Sequence, residues 1–219
     1  MEFSELKLTA RQQMKGNVWI FFGTTLVLGL ILGASGATGI GPLLLSGVVE
    51  LGTVMLALEI ARTGKTEFNT GFNGFSQFGS AFIAGFVGTI FIMLWSCLFI
   101  IPGIIAAFRY SMTFYILADN PGMSGIDALN KSKEMMKGHK WEFFLLQLSF
   151  IGWCLLVPLT FGLLMIWLTP YMETTNALYY EKIKGEITYN NDSEEIEEDN
   201  SEEDDEETAS EETDSTDEE

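Results

Sequence analysis

Three stretches without a charged side chain constrain this chain more than any other feature. Gly16–Val49, Phe68–Phe108 and Phe143–Met172 hold no Asp, Glu, Lys, Arg or His over 34, 41 and 30 residues. A helix needs about 20 apolar residues to cross a hydrocarbon core. Each run is too long for one crossing and suits two. Soluble domains do not bury helices of that length without a polar face. The expectation is an all-α membrane protein.

Gly and Pro divide the runs into six transmembrane helices near 17–35, 42–60, 78–100, 103–118, 141–157 and 160–182. They pair as three hairpins, with turns at Ser35–Pro42, Pro102-Gly103 and Pro158. The first run begins only at Gly16, behind a charged segment, and continues into more apolar sequence. It is therefore read as a retained helix and not as a signal peptide.

Lys and Arg then orient the bundle. Lys7, Arg11 and Lys15 precede the first helix, and Arg62 and Lys65 follow the second. Lys131, Lys133, Lys137 and Lys140 lie between the fourth and fifth, and Lys182 and Lys184 end the sixth. With six helices all of these fall on one face, which the positive-inside rule makes cytoplasmic, together with both termini. The expected location is the bacterial cytoplasmic membrane.

The net charge of −18 belongs to the end of the chain alone, because Asp192–Glu219 carries 18 of the 30 carboxylates and no basic residue. Such a segment cannot bury enough surface to offset its ordering entropy. The domains expected are an integral membrane domain over 1–187 and a disordered acidic tail over 188–219. A basic partner is the interaction the tail would suit; nucleic acid is not expected.

The chain also repeats itself at an offset of 122 residues. Met14-Lys15-Gly16-x-x-Trp19-x-Phe21-Phe22-x-x-x-Leu26 returns as Met136-Lys137-Gly138-x-x-Trp141-x-Phe143-Phe144-x-x-x-Leu148. The reading is a diverged parallel repeat, about 1–62 and 123–184. Each copy would be an interfacial amphipathic helix, a Gly stop, an interfacial Trp and a helical hairpin. In the second copy Ser124-x-x-Asp127 forms a capping box, and Ile126, Leu129 and Met136 share a face. Basic residues beside an apolar stripe suit the headgroup region.

Three ionisable residues fall near helix midpoints: Glu50, Arg109 and Glu173. A charge at the bilayer centre costs at least ~2.5–3.5 kcal/mol on insertion scales, so each should face inward and find a partner. Arg109 between two carboxylates would make a buried triad, with Thr53, Tyr110, Thr175 and Asn176 as supporting polar groups. Its alternative readings are a proton or ligand site and a structural ion pair.

Other signals are plainer. Gly29-x-x-x-Gly33 and Ser80-x-x-x-Ala84-x-x-x-Gly88 are small-residue packing stripes. Cys97 and Cys154 read as apolar packing residues, His139 as interfacial, and most of the five tryptophans as interfacial anchors. No catalytic motif, cofactor site or metal cluster appears, so enzymatic activity is not expected.

The stretches Ile101-Pro102-Gly103-Ile104-Ile105, Tyr110–Pro121, Ser132–Trp141, Leu148–Trp153 and Pro170-Tyr171-Met172 resemble a bacterial integral membrane family, domain of unknown function 975. The resemblance spans roughly residues 1–185. More distantly, the chain is similar to the membrane domain joined to some glycerophosphodiester phosphodiesterases. The family implies a multi-pass membrane protein and brings no catalytic residues with it. The leading functional expectation is a non-enzymatic modulator or scaffold of membrane-protein partners in the lipid bilayer. Its alternative is a small transporter or lipid translocator using Glu50, Arg109 and Glu173.

Overall fold

The computed structural model describes residues 3–98 and 100–188. Every regular element among them is helical. Two compact units emerge, Met1–Tyr180 and Glu181–Glu219. In the second, the described residues 181–188 are helical, and Lys182 pairs with Glu186 at 3.6 Å. The acidic tail from Asn190 onward lies outside the described residues.

The first unit opens with α1 (Phe3–Gln13), α2 (Val18–Ser35) and α3 (Gly41–Thr63). A 3-10 run over Phe68–Gln77 leads into α4 (Phe78–Leu98). Then follow α5 (Ile100–Tyr110), α6 (Thr113–Asp119), α7 (Gly125–Met135), α8 (Lys140–Leu148) and α9 (Ile151–Leu156). The helix entered at 165, α10, carries this unit to its end at Tyr180. Among the described residues four helical stretches are long and apolar enough to cross a membrane: Val18–Ser35, Gly41–Thr63, Phe68–Cys97 and Lys140–Thr160.

Small residues hold the centre together. A Cβ at Gly47 of α3 would strike the Ala81 carbonyl of α4, and one at Gly52 would strike the Gly71 carbonyl in the 3-10 run. At Gly74 it would stand 2.6 Å from the Val48 carbonyl oxygen. The α3 and α4 backbones thus touch directly, as small-residue membrane interfaces allow. The Ser80/Ala84/Gly88 stripe faces α7: a Cβ on Gly125 would meet the Ser80 carbonyl and the Ala84 amide. Gly29 and Gly33 have nothing within reach and form no such interface here.

Two expected helices are broken. The segment expected as one helix near 103–118 is α5 and α6, separated at Ser111-Met112. Ser132 of α7 fills that break, donating to the Arg109 carbonyl at 3.0 Å and accepting from the Met112 amide at 3.2 Å. A buried hydroxyl thereby satisfies the backbone groups that the kink frees. The segment near 141–157 likewise divides into α8 and α9, and Lys7 of α1 donates to the Ser149 hydroxyl at that break. The Lys7 ammonium also stands 4.7 Å from the Phe150 ring centroid. Burial there pulls Lys7 below the usual lysine range. Pro102, expected in a turn, lies in the first turn of α5, where a missing amide hydrogen is harmless.

The two amphipathic helices turn their apolar stripes toward protein. Leu6, Ala10 and Met14 are buried along α1, as are Ala128, Leu129, Ser132, Met135 and Met136 at α7. Ser124 caps α7 by accepting from the Ile126 amide at 3.3 Å. Ile126 itself, expected beside Leu129 and Met136, is exposed, because Gly125 and Leu129 are what meets α4. After each helix the same local structure follows. Gly16 and Gly138 adopt φ of +94° and +84°, the left-handed conformation glycine tolerates best. Met14 and Met136 amides bond four residues back at 3.0 Å, and Phe21 and Phe143 are buried. Trp19 and Trp141 are 75% and 69% exposed.

Candidate functional site

Glu50 lies on α3 one turn beyond Gly47, the point where α3 and α4 touch. Beside that contact lies a cavity of about 220 Å³. Ser46 and Glu50 line it from α3, Thr89 and Ile92 from α4, and Leu129 from α7. Tyr110, Thr113 and Phe114 close it at the α5–α6 break. Its polar lining is a carboxylate and four hydroxyls.

Glu50 lines this space and keeps accessible surface there, with protein packed closely around it. Glu173 of α10 lies near enough for the two charges to act on each other, and Tyr115 of α6 feels both. The Tyr115 hydroxyl donates to Glu173 Oε2 at 3.2 Å, and its ring stacks on Tyr180 at 5.5 Å. α3, α6 and α10 are thus linked by two carboxyls and a phenol. Among the described residues no ion pair reaches either carboxyl.

Arg109 stands apart. Among the described residues no ion pair joins it to Glu50 or Glu173. Its Nε is buried without a hydrogen-bond partner, and its carbonyl serves Ser132. Arg109 lies in the last turn of α5, just before the break. An ion pair forms elsewhere: Arg62 at the end of α3 holds Asp119 at 2.5 Å, and Tyr180 donates to the same carboxylate at 2.9 Å.

The supporting residues divide as well. Tyr110 lines the Glu50 cavity and stacks on Phe91 at 6.0 Å. Thr53 and Thr175 instead bond back to their own helices, at Val49 and Tyr171. Asn176 accepts from Gln147, tying α10 to α8 at 2.9 Å. Sequence reasoning missed Tyr115, Ser46, Thr89 and Thr113. All four are uncharged, and only Tyr115 had a usable signal, a phenol one helical turn and a half beyond Arg109.

Residues 98–186 match the family described as "Protein of unknown function (DUF975)". The DUF975 match covers Arg109, Tyr115, Glu173 and all of α7, α8 and α9, whereas Glu50 lies before it. The cavity therefore joins the matched segment to the part of the chain that precedes it. No curated protein and no solved structure matches the chain.

Proposed function

We propose that this chain is a multi-pass protein of the bacterial cytoplasmic membrane that takes a small cation into the Glu50 cavity, as a transporter. The observation that carries the reading is Glu50 itself: a carboxylate lining a roughly 220 Å³ space among apolar helices, with no basic residue paired to it among the described residues. A carboxylate kept in a low-dielectric site is expensive, and ones that face a cavity mark ion or substrate paths. The four hydroxyls suit a solute with N–H donors or a partly hydrated ion.

The rest of the proposal follows the charge pattern. Six membrane-crossing helices in three hairpins put every basic loop and both termini on the cytoplasmic side. The matching turns at Gly16 and Gly138 support a parallel repeat with one copy at each end of the chain. We take the likeness to the glycerophosphodiester phosphodiesterase membrane domain as one of architecture, without the hydrolytic activity. A scaffolding role is the second reading, favoured by the exposed Lys131, Lys133 and Lys137 around α7.

Uptake by proteoliposomes holding the full chain tests this, with methylammonium, choline and alkali cations as probes under an inside-negative potential. Accumulation of one of them that falls at least tenfold in Glu50→Gln is the expected result. No accumulation of any cation, or accumulation indifferent to Glu50→Gln, would leave the scaffold reading in its place.

A further inference from the structure

A second recess, of about 480 Å³, lies on the other face of the α5–α8 pair. Its wall is Ile104, Ile105 and Phe108 of α5 with Phe144 of α8, and Lys140 and Trp141 stand at its rim. Phe108 meets Phe144 edge to face at 5.9 Å, and Trp141 lies against Phe144 at 5.3 Å. Ile104, Ile105 and Trp141 are all exposed. The wall is therefore apolar and open outward, and the single charge beside it is an ammonium.

That ammonium has no carboxylate partner among the described residues. The nearest acid in sequence, Glu142, is engaged: His139 stands 3.6 Å from it, and the Tyr179 hydroxyl donates to it at 3.3 Å. Lys140 opens the candidate span Lys140–Thr160, so it sits at the polar end of a membrane helix with an interfacial tryptophan next to it. Exposed Lys137 adds a second positive charge just before it. An apolar slot running into the bilayer from an unpaired cation is complementary to one class of molecule. We infer that it holds an anionic phospholipid, with one acyl chain against Ile104, Ile105, Phe108 and Phe144 and the phosphate on Lys140.

The chain contains its own control. At the matching place after α1, Trp19 and Phe22 recur as a pair, there edge to face with ring centroids 6.4 Å apart where Trp141 and Phe144 are tilted at 5.3 Å, and Val18 stands where Lys140 would be. The preference for anionic lipid should belong to Trp141 and not to Trp19.

The test uses full-length protein in nanodiscs and two variants that keep one tryptophan each, Trp141 or Trp19, the others being Phe. Brominated phosphatidylglycerol and brominated phosphatidylcholine, which quench indole on contact, are each titrated into an unbrominated phosphatidylcholine host. At Trp141 the phosphatidylglycerol should quench at about fivefold lower mole fraction, the partition one basic residue confers near a membrane surface. Lys140→Gln should abolish the difference and Lys140→Arg should keep it. At Trp19 the two lipids should quench alike. Equal quenching at Trp141, a preference that survives Lys140→Gln, or its loss on adding millimolar inorganic phosphate would each overturn the assignment. The last outcome would give the site to a soluble phosphate.

Discussion

At the residue scale the finding that matters is an exchange of partners. Charge alone pointed to Arg109 as the group that would meet Glu50 and Glu173. The structure puts the Tyr115 hydroxyl on Glu173 and leaves Arg109 unpaired with either. A phenol carries no charge, so a search for ionisable residues at helix midpoints could not weigh it. The hydrogen bond itself can be measured. Tyr115→Phe removes one donor and no volume of consequence, and bonds of this kind in membrane proteins are worth about 0.6–1.7 kcal/mol. The variant should be less stable to unfolding in detergent by that amount, while Tyr110→Phe, at a residue that lines the cavity, should change stability less. Equal stability of Tyr115→Phe and the parent would mean the bond contributes nothing.

At the element scale the sequence was legible where a residue type has one physical use. Glycine after each amphipathic helix, Ser124 at a helix start and the Ser80/Ala84/Gly88 stripe all do what their chemistry suggests. The breaks at Ser111-Met112 and Ser149-Phe150 were not legible, because neither holds Gly or Pro. Each is stabilised from outside, by Ser132 of α7 and Lys7 of α1, and a sequence window does not contain its tertiary partner. The two small-residue stripes also diverge: one is packed, whereas Gly29 and Gly33 are open. Substitution separates them. Gly47→Ala places a methyl group into the Ala81 carbonyl and should cost about 1–3 kcal/mol through overpacking. Gly33→Ala should be neutral or slightly stabilising, since Ala is the better helix former. Denaturant titration of both in one detergent checks the pair, and equal costs would contradict the contact map.

At the scale of the whole molecule, three uncharged runs were enough for the class of the protein, and four helices long and apolar enough to cross a membrane follow from them. The cavity was not foreseeable, because α3, α4, α7 and the α5–α6 break all contribute to its lining. Such a space is a property of several helices together. Its consequence is that Glu50, deep within an apolar helix, should nevertheless meet water. The measurement that reaches this claim most directly is thiol accessibility. In a background with Cys97 and Cys154 changed to Ala, Glu50→Cys and Leu51→Cys are compared in intact membranes with a small charged methanethiosulfonate. Glu50→Cys should react within minutes, and Leu51→Cys, at a fully buried position, should stay unmodified. A Glu50→Cys as inert as Leu51→Cys would show that no aqueous path reaches the carboxylate, and the cation-binding account would fall with it.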